Sequence, residues 1–194
     1  MGAAPAVRLR PVGAEDRERL FSWRTQPAVA RWMYSDHQIT RAEHERWFDA
    51  ALADPSRCYW IIEADGAPAG LVNLYDLDAR NARCGWAYYL AGEEMRGRGV
   101  GAQVEFLVLE QVFVARGLNK LWCEVLAENE AVWRLHLSFG FRQEALYRQH
   151  IRKQGRFLDV VGLGLLRDEW LSLRAGSCAR LQAKGCAAAL LPLA

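Results

Sequence analysis

The chain contains short runs in which apolar and polar residues alternate, separated by longer apolar stretches with helical spacing. Alternation is typical of half-buried strands, whereas apolar residues recurring every three or four positions are typical of amphipathic helices. The segment 7–12 predicts a first strand, 15–25 a helix and 27–33 a second, shorter helix. Thr40 and Glu43 form a capping box, which predicts the start of another helix. Further strands are predicted over 58–62, 69–75, 84–90, 120–126, 141–151 and 156–166, and further helices over 102–116, 129–138 and 168–173.

Two short turns join neighbouring strands in this pattern. Asp65-Gly66 and Gln154-Gly155 are typical of tight hairpins, so each predicts an antiparallel pair of strands. Along the chain one strand is followed by helices, three strands, a helix, a strand, a helix and two strands. This order predicts an α/β (or α+β) fold with a mixed central sheet of about seven strands flanked by helices.

Length and composition predict which part of the chain folds as a domain. At 194 residues the chain can bury a self-sufficient core, and we predict a single domain over 1–174. Small residues, Ala above all, dominate from 175 to 194 without a sustained period, which predicts a flexible C-terminal tail rather than a docking segment.

Charge and cysteine content argue against several classes of protein. The formal net charge of +2 is too small for the strongly basic face that nucleic-acid binding needs. The five cysteines are scattered and include no Cys-x-x-Cys pair, so we expect no disulfide framework, no metal site and a reducing, cytoplasmic location. We also expect no membrane association, since no uncharged apolar stretch is long enough for a membrane span and no signal-peptide core is present.

The first candidate for chemistry is Arg96-Gly97-Arg98-Gly99-Val100-Gly101, which precedes a predicted helix. Its glycines let the backbone turn tightly and approach a ligand, while a helix N-terminus and two arginines favour a phosphate. The P-loop is excluded because Gly-Lys-Ser/Thr is missing, and the dinucleotide fingerprint because the helix starts too early. The segment therefore predicts either another kind of pyrophosphate cradle or a connection that only turns the chain.

Arg-x-x-Gly-x-Gly after a strand resembles the acetyl-coenzyme A loop of the GNAT N-acetyltransferases. Asn129, His136 and Gly140-Phe141 resemble the helix of that family that lies over coenzyme A, in which a Tyr takes the place of His136. The resemblance implies a GNAT fold whose sheet is splayed at the acetyl-CoA site, acetyl-CoA as co-substrate, and no metal. The cofactor-binding residues it implies are Tyr89, Leu90, Arg96, Gly97, Arg98, Gly99, Val100, Gly101 and Asn129.

The chain is most similar to one subfamily, the acetyltransferases of nucleotide-activated amino sugars in pseudaminic acid synthesis. The similar residues are Trp23-Arg24, His44, Trp47-Phe48, Asn129, Leu135-His136, Phe139-Gly140-Phe141, His150, Gly155, Asp159-Val160-Val161 and Glu169-Trp170, whereas Thr25 departs from the family's usual Asn. This similarity implies acetyl transfer from acetyl-CoA to the 4-amino group of a UDP-linked 4-amino-4,6-dideoxy sugar. The implied substrate-binding residues are Trp23, Arg24, Met33 and His44.

Acetylation of an amine by a thioester needs a base for the amine, N–H groups for the oxyanion and a proton donor for the leaving thiolate. The resemblance implies that the strand end near Tyr89 and Leu90 supplies the N–H groups and that His136 is the donor. The alternative for His136 is a side chain packed against its own helix. Glu124 is the predicted base and Asp76 the second candidate, and either carboxylate is alternatively structural.

Three further points stay open in the sequence. The cluster Arg148, Arg152, Lys153 and Arg156 around the second hairpin turn predicts either a solvated tip or a pyrophosphate contact. An N-terminal acetyltransferase of the ribosomal-protein type and a non-catalytic CoA-binding regulatory module are the alternative functions. The expected partners are a small nucleotide-sugar substrate and a second copy of the chain in a homodimer.

Overall fold

The alternating segments form one mixed sheet. The computed structural model describes residues 4–92, 95 and 97–186. The strands are β1 (Val7–Pro11), β2 (Cys58–Ala64), β3 (Ala67–Asp78), β4 (Arg83–Leu90), β5 (Lys120–Leu126), β6 (Arg142–Lys153) and β7 (Arg156–Leu166). Their order across the sheet is β1-β2-β3-β4-β5-β7-β6, and all neighbours are antiparallel except β4 and β5. The predicted seven-stranded mixed sheet is confirmed.

Helices flank the sheet on both faces. They are α1 (Arg17–Thr25), α2 (Pro27–Ala30), α3 (Arg41–Ala53), α4 (Val100–Leu109), α5 (Glu130–Ser138) and α6 (Arg167–Ala183). The predicted capping box starts α3, with the Thr40 hydroxyl accepting from Glu43 N and the Glu43 carboxylate accepting from Thr40 N. A π-helical turn, Glu110–Ala115, continues α4.

The sheet opens between its two parallel strands. β4 and β5 pair only over Arg83–Gly85 and Lys120–Trp122. Beyond these residues β4 continues along β3, while β5 continues along β7. The facing edges of β4 and β5 therefore carry backbone N–H and C=O groups that no described strand satisfies. This opening is the splay that the resemblance implies.

Apolar side chains from the two faces of the sheet form separate clusters. One face packs against α4, α5 and α6 and forms the larger core, in which Trp86 and Trp170 are almost completely buried. The other face packs against α1 and α3 through a smaller cluster that includes Leu20 and Phe48. The loops from α1–α3 and the N-terminus of α4 thus reach the opening from opposite faces.

The C-terminal helix differs from the prediction. α6 runs to Ala183, well beyond the predicted end at Leu173. Leu181 and Cys186 are buried in the larger core, and Cys178 packs against it. The prediction of a flexible tail is therefore wrong for 175–186, because a few spaced apolar contacts are enough to dock a helix rich in small residues. Residues 187–194 lie outside the described part of the chain.

The described residues show neither a membrane-spanning helix nor a cluster of metal ligands. None of the helices within 4–186 that the structure describes is long and apolar enough to cross a membrane. The same residues contain no group of three or more His, Cys, Asp or Glu side chains arranged to hold a metal ion. The five cysteines are free thiols. The expected absence of metal and membrane partners stays a prediction.

Candidate active site

The turn between β4 and α4 has the geometry of an anion-binding site. Gly97 and Gly99 have φ angles of +74° and +80°, in the left-handed region that favours glycine. Gly99 is the N-cap of α4, so the helix begins at Val100, earlier than the predicted 102. Among the described residues no side chain caps this helix, and the N–H groups of a first turn have no partner within a helix. The turn therefore presents free donors and the positive end of α4 to a ligand, which suits a pyrophosphate.

The three glycines of the turn face different surroundings. A Cβ on Gly97 would meet no described atom within 4 Å, so this position faces open space. A Cβ on Gly99 would lie 3.6 Å from Cys186 Sγ, and one on Gly101 would lie 3.1 Å from the Tyr88 hydroxyl. Gly101 is thus restricted by packing and Gly99 by its left-handed φ, whereas Gly97 faces space that a ligand could occupy.

The other predicted members of the turn also divide by position. Val100 is 1% exposed and belongs to the larger core, so only its backbone is available. Arg98 is exposed and free to reach a phosphate. Arg96 lies outside the described residues, and its predicted phosphate contact stays a prediction.

Replacing Gly97 by Val is expected to weaken acetyl-CoA binding by at least about tenfold, or 1.4 kcal/mol, because branched bulk would occupy the space beside the free N–H groups. Calorimetric titration measures this affinity directly. The matched control is Gly117→Val, since Gly117 also has a left-handed φ, +63°, and open space around it, but follows α4 at its far end. Both variants carry a backbone strain of about 1–3 kcal/mol. Equal loss of affinity in the two variants would contradict the assignment of the turn.

The free edge of β4 supplies candidate oxyanion donors. Ala91 N donates to Ala69 O on β3 at 2.8 Å, and N–H groups alternate in direction along a strand. The N–H of Tyr89 therefore points to β3, whereas those of Tyr88 and Leu90 point into the opening. The prediction for Leu90 agrees with this direction. For Tyr89 the structure gives a correction, because the neighbouring Tyr88 has the donor on the open edge.

Glu124 lies on the face of the sheet that α1 and α3 cover. Its β5 neighbours Cys123 and Val125 point into the larger core, so Glu124 points to the other side. The Tyr34 hydroxyl, from the loop before α3, donates to Glu124 Oε2 at 3.0 Å. Burial and the Glu124 charge raise the pKa of Tyr34 well above its usual range, so the phenol stays protonated and donates. The carboxylate is thereby fixed beside the opening of the sheet.

Two aromatic side chains lie under this carboxylate. Tyr75 and Trp122 meet edge to face, with ring centroids 5.2 Å apart. Gly85 lies beneath them, and a Cβ there would be 2.3 Å from the Tyr75 ring. Burial, with smaller effects from Cys123, Glu124 and Asp76, raises the pKa of Tyr75. Both candidate bases, Glu124 and Asp76, thus lie close enough to Tyr75 for their charges to act on its hydroxyl.

A cavity of about 530 Å³ opens next to this aromatic pair. Its lining combines two aspartates, a serine and an arginine with three apolar residues: Ser56, Asp76, Leu77, Asp78, Ala79, Arg83 and Trp122. Trp122 is shared between the cavity and the aromatic pair, and the cavity lies at the end where β4 and β5 are paired, two residues along β5 from Glu124.

Three of the four predicted substrate residues lie near the same face. Trp23 packs against the smaller cluster. Arg24 is half-buried and donates to the Ser35 hydroxyl at 2.5 Å, and burial lowers the pKa of its guanidinium. Met33 is half-buried in the loop before α3, where its backbone oxygen is a hydrogen-bond acceptor. The structure thus brings Arg24 and the loop together, and the role of these three residues in substrate binding stays a prediction.

His44 is a core residue, which corrects its prediction as substrate-binding. Its side chain is 3% exposed. Nε2 lies 2.8 Å from the carbonyl oxygen of Arg17, which ties α3 to α1. Phe21 and Trp47 enclose the ring, with centroids 5.3 and 5.5 Å away. A histidine on an apolar helix face is here a satisfied structural group.

His136 is also buried, at 3% exposure, and its partner is Glu105. Nδ1 lies 2.8 Å from Oε1 of this carboxylate, which is completely buried in α4. Burial alone would lower the pKa of His136, but the Glu105 charge, helped by Cys123, raises it well above its usual value. The rings of Trp86 and Phe141 pack around it at 5.1 and 5.4 Å. This geometry favours the packed alternative, and the donor role stays a prediction.

Asn129 is the N-cap of α5, at the end of the loop after β5. Its side chain makes no capping hydrogen bond to the helix within the described residues. Because β5 leads into this loop from the opened side of the sheet, the amide is available to a ligand there. Its predicted contact with the cofactor stays a prediction.

Comparison with known proteins agrees with this geometry. Residues 6–142 match the family described as "Acetyltransferase (GNAT) domain". Spermidine N(1)-acetyltransferase of Escherichia coli K12 is 23% identical over 172 residues, covering 89% of this chain and 92% of the enzyme. A putative ribosomal N-acetyltransferase, YdaF of Bacillus subtilis, is 25% identical and covers 84% and 93%.

A solved structure of spermidine N-acetyltransferase from Vibrio cholerae, in complex with CoA and spermine, has the same fold. Its TM-score is 0.79 at 19% identity, covering 85% of this chain and 98% of that one. These relatives act on a polyamine or carry a ribosomal name, so the narrower resemblance to pseudaminic-acid enzymes is not supported, nor is a nucleotide-sugar substrate.

Proposed function

This chain belongs to the GNAT acetyltransferase family, and we propose that it acetylates a primary amine of a small polyamine, with spermidine as the first candidate. Transfer of an acetyl group from acetyl-CoA to an amine is the activity of the family, so the chain is an acetyl-CoA-dependent N-acetyltransferase. The names of the relatives from E. coli and V. cholerae support the polyamine as acceptor.

The observation that carries the proposal is the position of Glu124. This carboxylate lies on the face of the opened sheet that α1 and α3 cover, which we assign to the acceptor amine and call the acceptor side. The Tyr34 hydroxyl holds it there at 3.0 Å. A fixed carboxylate attracts an ammonium group and can then accept the proton that the amine must lose before it attacks. One group thus serves both recognition and catalysis.

The neighbouring cavity suits the rest of a polycation. Asp76 and Asp78 line it, and Trp122 connects it to Glu124. Carboxylates spaced along one surface complement the spaced ammonium groups of a polyamine, and an indole face between them adds a cation–π contact of about 0.5–2 kcal/mol. Arg83 also lines the cavity and pairs with Asp78, so part of the acidic charge is neutralised.

The residues then have separable tasks in a direct attack within a ternary complex. Glu124 takes the proton from the ammonium, and the amine nitrogen bonds to the thioester carbon. The N–H groups of Tyr88 and Leu90 stabilise the oxyanion. The nitrogen loses its second proton to water, and the C–S bond breaks to leave the amide. The coenzyme A thiolate takes up a proton, for which His136 is the donor implied by resemblance and water is the alternative that its burial favours.

Arg24 favours a second candidate, an acceptor amine that carries a phosphate or carboxylate. Its half-buried guanidinium lies on the acceptor side, where it attracts anions and repels a polycation. An amino-sugar nucleotide or a peptide with acidic residues would fit this charge better than spermidine.

A thiol-release assay with acetyl-CoA separates the candidates. The panel contains spermidine, spermine, putrescine, butylamine, UDP-linked amino sugars and peptides. We expect spermidine to exceed the nucleotide sugars and peptides in kcat/KM by about 100-fold or more, as expected where buried polar groups match only one substrate. Putrescine and butylamine are the matched pair, since they differ in one terminal amine, and we expect putrescine to be better. A preference for a nucleotide sugar would support the second candidate, which rests on Arg24. If none of the amines causes thiol release, the result would support a regulatory module.

A further inference from the structure

The loop between α2 and α3, residues 31–36, is attached to the acceptor face from two sides. Tyr34 bonds to Glu124 on β5, and Ser35 accepts from Arg24 on α1. We call this segment the acceptor loop. Its position decides where the Tyr34 hydroxyl lies and, through it, how the carboxylate of Glu124 is held.

A third attachment comes from the tip of the β6–β7 hairpin. Lys153, the last residue of β6, is 8% exposed. Its ammonium donates to the carbonyl oxygens of Ala30 at 2.7 Å, Arg31 at 2.9 Å and Met33 at 2.5 Å. An ammonium has three donors, so all of them are used on the end of α2 and the start of the acceptor loop. The following residue adds a contact, because Gln154 N donates to Asp36 Oδ2 at 2.8 Å.

The turn itself makes this attachment rigid. Gln154 and Gly155 have φ angles of +49° and +75°, the two left-handed residues of a tight hairpin, and Lys153 pairs with Arg156 directly across it. Trp32 of the loop packs against an apolar cluster at this end of the sheet, Leu126, Leu158 and Val160, and Ile151 of β6 packs against the same cluster. The end of the sheet at the hairpin tip therefore contacts the loop both through apolar packing and through hydrogen bonds.

Neither expectation for the basic hairpin tip holds at Lys153. A solvated side chain is excluded by its burial, and a pyrophosphate contact is excluded because its three donors are occupied on the acceptor side. Burial lowers the pKa of Lys153 because it removes water from the ammonium, and the three carbonyl oxygens replace part of that hydration. Lys153 lies on the hairpin, and all three of its hydrogen bonds go to the end of α2 and to the acceptor loop, so its effect is expected on the position of that loop.

We propose that Lys153 is a positioning residue for the acceptor: it locks the acceptor loop so that Tyr34 and Glu124 meet the amine in one geometry. The proposal rests on the proposed function, because that function assigns this side of the sheet to the acceptor amine and the other side to acetyl-CoA. The turn before α4, which would hold acetyl-CoA, makes no described hydrogen bond to the hairpin tip. Loss of the ammonium is therefore expected to affect one substrate and spare the other.

The test is Lys153→Met, which keeps the length and apolar stem of the side chain but removes the three donors. The matched control is Lys120→Met, since Lys120 is also a strand lysine but pairs with Glu144 away from the loop. With the best amine of the panel, we expect Lys153→Met to raise the acceptor KM about tenfold or more, the scale of losing hydrogen bonds to a charged group. The KM for acetyl-CoA should stay within about threefold in both variants.

A second readout needs no substrate. Arg31 is exposed while its carbonyl is held by Lys153, so trypsin cleavage after Arg31 reports on the freedom of the loop. Cleavage should be about tenfold faster in Lys153→Met than in Lys120→Met, because it tracks the population of the opened segment. This measurement stands even if the panel yields no acceptor, which separates failure of the proposal from failure of the proposed function.

Two results would overturn the proposal. One is an equal rise of both KM values in Lys153→Met, which would indicate a general loss of structure. The other is unchanged cleavage after Arg31, which would show that the packing of Trp32 alone fixes the loop. If Lys153→Met does not fold, Lys153→Arg keeps the charge but has a flat fork that cannot reach three carbonyls in this arrangement, and it should show the same selective rise in acceptor KM.

Discussion

His136→Phe is expected to lower the free energy of unfolding by about 3–5 kcal/mol, because it leaves the Glu105 carboxylate buried without its partner. Glu105 is completely buried and His136 is 3% exposed. Water cannot solvate the remaining charge without opening the contact between α4 and α5. Urea unfolding at neutral pH measures the loss.

Comparison with His44→Phe separates the free-energy cost of an unpaired buried charge from the cost of an unpaired polar group. His44 is as buried as His136, but its partner is the backbone carbonyl of Arg17, so removal leaves a polar group and no charge. The expected cost there is about 1–3 kcal/mol. The double variant Glu105→Met/His136→Phe removes both members of the ion pair and should regain most of the stability, since apolar replacement of a buried pair is often neutral. A double variant as unstable as His136→Phe would mean that packing, not charge, is responsible.

The same double variant decides whether His136 donates a proton during catalysis. It is expected to fold, so a change in its turnover is not a consequence of unfolding. A loss of about 100-fold or more in kcat with unchanged acetyl-CoA affinity would support the donor role implied by resemblance. The enclosed geometry leads us to expect a much smaller loss, with water protonating the thiolate.

Glu124→Gln is expected to lower kcat by about 100-fold or more, because an amide cannot take the proton of the attacking amine. The substitution keeps the size of the side chain and an oxygen that accepts from Tyr34, so the loop contact should survive. Steady-state kinetics with the best amine of the panel gives the value. Glu128→Gln is the control, since Glu128 follows on the loop after β5 and pairs with Arg156 at the surface. A kcat unchanged by Glu124→Gln would assign the base to Asp76 or to water.

Much of the fold could be predicted from local signals. β5 has the predicted bounds 120–126, and the capping box and Asp65-Gly66 mark α3 and the first hairpin where the structure has them. These signals are local because they depend on hydrogen bonds and backbone angles within a few residues. The glycine turn before α4 was predictable for the same reason.

The contacts that define the site were not predictable, because they join distant parts of the chain. Tyr34 and Glu124 are 90 positions apart, and Lys153 lies 120 positions from Met33. Glu105 is a single charge in an apolar helix, and nothing in its neighbourhood indicates His136 as its partner. The full length of α6 was missed for another reason: beyond Leu173 only widely spaced residues, among them Cys178 and Leu181, contact the core, and such spacing gives no sustained period.

The two ends of the described chain meet beside the turn that starts α4. Ala4 and Cys186 both lie against Gly99, and a Cβ on Gly185 would be 3.8 Å from Ala4 N. A short linker from residue 186 to residue 4, in place of 1–3 and 187–194, would therefore close the backbone into a ring without moving either residue. New ends could then be opened at the exposed turn Asp65-Gly66, giving a circular permutant in which the acetyl-CoA turn is braced by continuous chain.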